Sequence, residues 1–451
     1  MAFLFVRFVD MIAIEDLYRK FLEHPSICTD SRKLRFGDIF FALKGENFNG
    51  NLFVADALEK GAAFSVVDEE SVKGITGTYR NSDDRIIRVH DVLKSLQELA
   101  AHHRNQFSIP FIAITGSNGK TTTKELIHAV LSEKYNTYTT EGNLNNHIGI
   151  PLTLLKIKAD AEIAIVEMGA NHLQEIAGYC LYTRPTHGLI TNCGKAHLEG
   201  FGSIEGVRKG KGELFDYLRT IEGSAFVMWD YEYLQEMSKG IREIVTYGTA
   251  LADITGIEES AIPYLSVRMT SGIHLDTIET HLMGNYNTPN VLAAVTIGNY
   301  FNVDPAVIKK GIENYSPANS RSQLVQAGTN TILLDAYNAN PSSLKLAIEN
   351  FVQFPAADKI LLLGAMAELG RDSMAEHRQI IEQIAANRWN EVILVGGDFL
   401  KIEHPFKSFA NSIEAGQWLA SHSFQNTAFL VKGSRGMQME HAIESLLQNK
   451  K

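Results

Sequence analysis

Lys120 stands directly behind a glycine and directly before a threonine run, in Thr115-Gly116-Ser117-Asn118-Gly119-Lys120-Thr121-Thr122-Thr123. Glycines beside a lysine and a hydroxyl are what a polyphosphate requires. They let backbone N–H groups and a helix N-terminus approach the phosphate oxygens with no side chain in the way. Lys120 adds a point charge on the β and γ oxygens, and the Thr121 hydroxyl is placed to hold a magnesium ion bridging them. Gly116, Ser117, Asn118, Gly119, Lys120, Thr121 and Thr122 are therefore predicted to cradle a polyphosphate. The loop is tighter than the generic nucleotide pattern, because Ile114 occupies the place where a first glycine is usual. On this motif alone, an ordinary strand-turn-helix connection stays open as the alternative.

Other polar residues fall where an α/β sheet presents ligands. The apolar run Ala161 to Val166 ends on Glu167, and a second strand, His187 to Asn192, leads into His197. Strand ends are where open α/β sheets bind ligands, so Glu167 and His197 are candidate magnesium ligands, or ordinary strand-end polar residues. Asn287 and Asn290, three apart at a helix start, can face one side and pair with a purine edge. The amide-rich loop Glu141 to Pro151 offers Asn143 and Asn146 to a peptide or sugar, unless it satisfies its own backbone. Ser31, Arg32 and Lys44 sit beside turns, where their donors can meet a phosphate or a uracil edge, or simply water. A lone lysine such as Lys211 is ordinarily a solvated charge.

The elements that must position these groups follow from apolar periodicity. Phe111 to Ile114 is a strand, and Leu126, Ile127, Val130 and Leu131 carry helical spacing behind the loop. Ahead of it, a strand at Ile39–Leu43, a helix from Phe53 stopped by Gly61 and a strand at Phe64–Val67 form a small α/β unit. After Arg321, strands at 331–335, 359–363, 391–395 and 428–431 alternate with helices at 342–351, 377–386, 413–422 and 437–448. Continuous apolar strands between amphipathic helices mean a parallel sheet covered on both faces. The fold class is α/β, with a Rossmann-like last domain.

A chain of 451 residues exceeds what one core supports. Three domains are expected, 1–107, 108–314 and 315–451. The net charge of −10 argues against nucleic acid or an anionic membrane as partner, yet leaves room for an anionic small molecule in a locally basic pocket. Cys28, Cys180 and Cys193 are widely spaced, form no metal-ligand pattern, suit a reducing cytoplasm and are expected to fill core. Arg7 and Asp10 interrupt the apolar start, no small-residue cleavage site follows, and no run approaches the ~20 apolar residues of a membrane span. A soluble, cytoplasmic protein is expected.

Together, the loop, Glu167-Met168-Gly169, His197, Lys211-Gly212-Glu213-Leu214-Phe215 and Asn287 with Asn290 resemble the Mur ligase family over nearly the whole chain. The resemblance implies ATP-driven joining of an amino acid or peptide to a UDP-linked cell-wall precursor. Asp30-Ser31-Arg32, Phe41 to Gly45, Asp335-Ala336-Tyr337-Asn338-Ala339-Asn340-Pro341, Leu363 to Gly370 and Lys432 to Arg435 are similar to the branch that adds D-alanyl-D-alanine to UDP-N-acetylmuramoyl-tripeptide. Tyr286, Asn49, Asn51 and Ala365 depart from the family's usual residues.

The resemblance further implies the roles. ATP and Mg2+ are expected, with Lys120, His197 and Lys211 catalytic. Thr121, Glu167, His197 and Lys211 are the expected metal ligands, the lysine as its carbamate. Asn287, Asn290, Arg321 and Asp335 are expected to reach ATP, the last two through closure of the third domain. Ser31, Arg32, Lys44, Asn143 and Asn146 are assigned to the UDP-substrate, and Tyr337, Asn338 and Asn340 to the D-Ala-D-Ala side. A monomer with no nucleic-acid partner and no stable membrane association is expected. A folylpolyglutamate synthetase-like ligase, or a nucleotide-binding module without transfer, would share the loop.

Overall fold

The computed structural model describes residues 12–46, 48–69, 83–317 and 321–448, so the first eleven residues fall outside it. Two compact units form: one takes the described residues up to 111 with 138–168 and 178–185, the other takes 112–137, 169–177 and everything from 186 onward.

In the first unit, four parallel strands stand in the order Ile27–Cys28, Ile39–Phe41, Phe64–Asp68, Ile86–Val89. Ile39, Phe40 and Phe41 are all buried, as expected of a strand covered on both faces. The predicted long helix from Phe53 is shorter: a 3-10 turn at Gly50–Phe53 precedes the α-helix Val54–Glu59, and Gly61 turns the chain away at φ +95°. The helix Val92–Arg104 begins on Asp91, whose carboxylate accepts from the Lys94 N–H at 2.8 Å, a side-chain cap for an otherwise orphaned donor. At its other end Arg104 donates to the carbonyls of Phe107, Thr183 and Arg184 and lies 3.6 Å from the Phe111 ring.

The second unit holds two sheets. From its Thr277–Glu279 edge the first continues through Ser266–Ser271, Ile254–Ser260, Glu243–Gly248, Ser224–Met228 and His187–Ile190 to Phe111–Thr115. The five strands from Phe111–Thr115 to Ile254–Ser260 are parallel, and the last two join antiparallel. This antiparallel extension was not predicted. The helix Lys120–Leu131 packs beside Thr288–Tyr300, where Gly298 leaves so little room that a Cβ would stand 2.6 Å from Val130. That close approach brings the start of the second helix to the glycine loop.

The other sheet has the order Gln323–Ala327, Asn330–Asp335, Thr427–Lys432, Asp358–Gly364, Glu391–Val395, Lys407–Phe409, parallel except for its first pair. The predicted Rossmann-like alternation is observed, with two unpredicted edge strands. The expected helix 437–448 is broken instead. Gln438 takes φ +48°, and the chain makes 3-10 turns at Arg435–Met437 and Met439–Ile443 before the short helix Glu444–Gln448. A left-handed residue cannot continue a right-handed helix.

Candidate active site

The glycine loop is fixed from below by the next strand's end. Ser117 N–H donates to Asn192 O (2.8 Å), Asn118 N–H to Asn192 Oδ1 (3.1 Å), and Ser117 Oγ to Gly194 O (2.8 Å). Thr191 Oγ1 and Asn192 Nδ2 both donate to Asn118 O, at 2.6 and 3.0 Å. Gly116 has φ +144°, and a Cβ there would stand 2.0 Å from Thr191 Oγ1. Thr123 N–H donates to Gly119 O at 2.8 Å, so the helix starts directly on the loop and its N-terminal dipole end faces the place an anion would take. Lys120 Nζ donates to the loop carbonyls of Gly116 and Ser117 at 2.6 and 3.3 Å. The loop geometry fits a polyphosphate. Thr122 lies on the same first turn as Thr121, which is buried.

Asn287 and Asn290 are buried and hydrogen-bonded to each other, Asn290 Nδ2 to Asn287 Oδ1 at 2.8 Å. Asn290 Oδ1 accepts from Thr123 Oγ1 (2.9 Å), and Asn287 Nδ2 donates to Met283 O (2.7 Å). The pair therefore clamps the loop helix, a role beyond the purine contact that their spacing suggested. Gly119, at φ +80°, would put a Cβ 2.7 Å from Asn290 Oδ1. Gly119→Ala combines left-handed strain of about 1–2 kcal/mol with displacement of that clamp. It is expected to weaken ATP binding about tenfold or more in titration calorimetry; an unchanged Kd would mean that the loop does not bind the nucleotide.

Lys211 lies on the helix Ile204–Thr220 and is 1% exposed, contrary to the solvated charge a lone lysine suggests. Its Nζ donates to Ala170 O at 2.8 Å and lies 5.1 Å from the Phe201 ring. Burial pushes its ammonium down to about 7, helped by the charge of Lys120. Near neutral pH a large share of the amine is thus unprotonated, the form that can add carbon dioxide to become a carbamate. Among the described residues no group of three or more His, Cys, Asp or Glu forms a ready metal site. The oxygen donors magnesium prefers would come from Thr121 and a carbamate on Lys211.

His197 has φ +52° and stands at the start of the short helix Leu198–Phe201, with Nδ1 against the Glu368 carboxylate. That imidazole holds the Glu368 carboxyl below its ordinary range. Lys195 and Glu376 form a parallel ion pair at 2.6 Å. Burial pushes the neighbouring Cys193 thiol up to about 12, in keeping with core filling.

The segment after Asp335 reaches the loop. Asn340 caps the helix Pro341–Gln353 by accepting from the Ser343 N–H, and its Nδ2 donates to Asn118 Oδ1 at 2.7 Å. Asn340, expected on the dipeptide side, is tied here to the phosphate loop and to a helix start. Ser342 Oγ accepts from the Lys195 N–H at 3.2 Å. A cleft of about 670 Å³ opens here, lined among others by Gly194, Lys195, Ser342, Lys345 and Glu376. Arg321 lies 3.6 Å over the Tyr337 ring, and Asp335 pairs with the buried Lys432 at 2.5 Å. Lys432 also donates to Asn338 O (3.1 Å), fixing the turn that carries Tyr337 and the exposed Asn338.

In the first unit, Glu167 is 1% exposed at its strand end and accepts from Asn145 Nδ2 at 2.7 Å. Asn146 Oδ1 accepts from the Ile148 and Gly149 N–H groups, so its oxygen serves the turn, while Asn143 is exposed. Arg32 pairs with Asp30 through two 2.8 Å bonds, and the exposed Asp30 carboxyl is held down to about 2 by that guanidinium. Lys60 donates to Ser31 O at 3.1 Å, and Lys44 lies 3.1 Å from Asp68. Asp68 also accepts from the fully buried Asn51. Asn145, Asn192, Glu368 and Lys432 were not predicted as site residues; Asn145, in the amide-rich loop, and Asn192, a strand-end amide, carried a local signal.

A parallel sheet feeding a glycine loop, a helix N-terminus and a buried lysine defines a nucleoside triphosphate-handling α/β protein. The description "Mur ligase family, catalytic domain" matches residues 25–104, "Mur ligase middle domain" 114–298 and "Mur ligase, glutamate ligase domain" 320–447. The UDP-N-acetylmuramoyl-tripeptide--D-alanyl-D-alanine ligase of Bacillus subtilis (strain 168) is 32% identical over 440 residues, covering 94% of this chain and 93% of that protein. A crystal structure of MurF from Acinetobacter baumannii has a TM-score of 0.84 at 30% identity, covering 94% of this chain and 93% of that one. MurF ligase from Thermotoga maritima in complex with ADP has a TM-score of 0.83 at 25% identity, covering 95% and 98%. The chain belongs to the Mur ligase family.

Proposed function

We propose that this protein is an ATP-dependent, ADP-forming ligase that joins D-alanyl-D-alanine to UDP-N-acetylmuramoyl-tripeptide, giving the UDP-linked pentapeptide precursor of peptidoglycan. The observation that carries this is end-to-end similarity to ligases so named, together with a glycine loop built for a polyphosphate. The tripeptide carboxylate attacks the γ-phosphorus of ATP, forming an acyl phosphate and releasing ADP. The dipeptide amine then attacks the acyl carbon, loses a proton and expels phosphate.

Lys120 and the loop amides hold the phosphoryl oxygens throughout, so catalysis is positioning and electrostatics. Thr121, Glu167, His197 and carbamoylated Lys211 are assigned to magnesium, which supplies neutralisation of phosphoryl charge. Asn287, Asn290, Arg321 and Asp335 are assigned to ATP, Ser31, Arg32, Lys44, Asn143 and Asn146 to the UDP-substrate, and Tyr337, Asn338 and Asn340 to the dipeptide. The domain division 1–107, 108–314 and 315–451 is supported by the three family matches, which fall inside it apart from their trimmed ends. Among the described residues no helix is long and apolar enough to cross a membrane. Supply of ATP and of a UDP-linked precursor makes the cytoplasm the proposed site of work.

Phosphate release from ATP is the test, with UDP-N-acetylmuramoyl-tripeptide present and D-Ala-D-Ala added or withheld. Release dependent on both, with the pentapeptide seen by mass, is expected. Tight ATP binding without release would overturn the ligase assignment.

A further inference from the structure

We infer that Glu368 is a positioning residue for His197, delivered from the C-terminal sheet, so that the imidazole is presented correctly only when that sheet's loop is seated against it. Glu368 touches His197 Nδ1, and its backbone carbonyl accepts from the Glu199 N–H at 3.2 Å. The Glu368 loop thus meets the 197–199 segment twice, by its side chain at His197 and by its backbone at Glu199. Both also hold left-handed backbone, φ +52° at His197 and +61° at Glu368, conformations a side-chain-bearing residue keeps only where its surroundings over-determine it.

The loop that carries Glu368 is itself anchored. Ala365 N–H donates to Val395 O at 2.9 Å, and Ser434 Oγ donates to Ala365 O at 2.7 Å. Met366 N–H donates to His377 Nε2 at 3.0 Å, while His377 Nδ1 bonds Ser373 O at 2.7 Å, which fixes that ring's tautomer. Three separate stretches of the C-terminal sheet domain therefore aim one carboxylate. A carboxylate set against Nδ1 favours the proton on that nitrogen and leaves the Nε2 lone pair for a cation or a phosphoryl partner, as outer carboxylates do for metal-binding histidines. The adjacent Lys195–Glu376 pair joins the same two segments and resists sliding of one past the other.

The inference rests on His197 serving the proposed magnesium site, and the test separates the two. Histidine ring 15N spectra at pH 8, with His197 assigned by its loss in His197→Asn, report the tautomer. Mn2+ titration by electron paramagnetic resonance with ADP present reports metal affinity. Expected are an Nδ1–H tautomer in the full chain, a shift toward Nε2–H in Glu368→Ala, and Mn2+ affinity about 10- to 100-fold weaker in that variant. Glu368→Gln, whose amide oxygen accepts the same N–H, is expected to keep the tautomer. An unchanged His197 tautomer in a folded Glu368→Ala protein overturns the inference. A shifted tautomer with unchanged Mn2+ affinity upholds the positioning and removes His197 from the metal site.

Discussion

Lys120→Ala is expected to lower kcat for phosphate release about 10²- to 10³-fold, the usual cost of removing one preorganised charge at a phosphoryl or oxyanion centre. The ammonium already lies within the loop, bonded to Gly116 O and Ser117 O. Little reorganisation is required to bring it onto a bound phosphate. A second effect accompanies the loss of rate. The charge of Lys120 helps hold the Lys211 ammonium down, so its removal raises the Lys211 pKa and decreases the share of neutral amine at pH 7. Supplementing bicarbonate should therefore recover only a small part of the lost rate. Activity within a few-fold of the parent protein would refute both the phosphate contact and the mechanism built on it.

Lys211→Met is expected to trade activity for stability. The side chain is 1% exposed, and burying an ammonium costs far more than burying a thioether of similar length. Rates should fall on the order of 10²-fold or more if the carbamate is a metal ligand, while the melting temperature rises in carbon dioxide-depleted, metal-free buffer. The pH dependence gives the sign. Between about 7, where folded Lys211 titrates, and its ordinary 10.5, the unfolded chain holds a proton that the folded one has released. Stability of the parent protein then rises with pH across that window and is independent of this group below it. The advantage of the methionine variant should be largest at pH 7 and below and shrink toward pH 10. A constant difference in melting temperature across that range would show that Lys211 does not change its proton affinity on folding.

What could be read from the sequence was whatever is encoded locally. A glycine loop is such a case, since Gly116 and Gly119 hold φ of +144° and +80°, angles that glycine adopts most readily. Strands such as Glu391–Val395 were equally plain, because an apolar run with no polar interruption has few other fates. Partnership across the fold was not legible. Lys211 has the spacing of any helix residue, and nothing beside it announces burial. Glu368 and Lys432 gained meaning only once their loops met His197 and Asp335. Asn340 shows the same limit: the resemblance of its stretch suggested a place beside substrate, and its helix cap and its bond to the phosphate loop became visible only in the fold. The break at Gln438 was hidden because the apolar spacing after it still suits a helix.

The strand order of the C-terminal sheet carries a consequence for how the molecule is made. Thr427–Lys432 lies between Asn330–Asp335 and Asp358–Gly364, although it is the last of these strands to leave the ribosome. Until translation has passed residue 432, each older strand has a neighbour on one side only, and the two edges that face the missing strand remain open. Folding that proceeds from the N-terminus can complete earlier segments during synthesis, but this sheet must wait. The nascent protein is accordingly most exposed to edge pairing and to chaperone capture late in synthesis. The same late strand brings Lys432 to Asp335, so the turn after Asp335 and the closing of the sheet mature in one event.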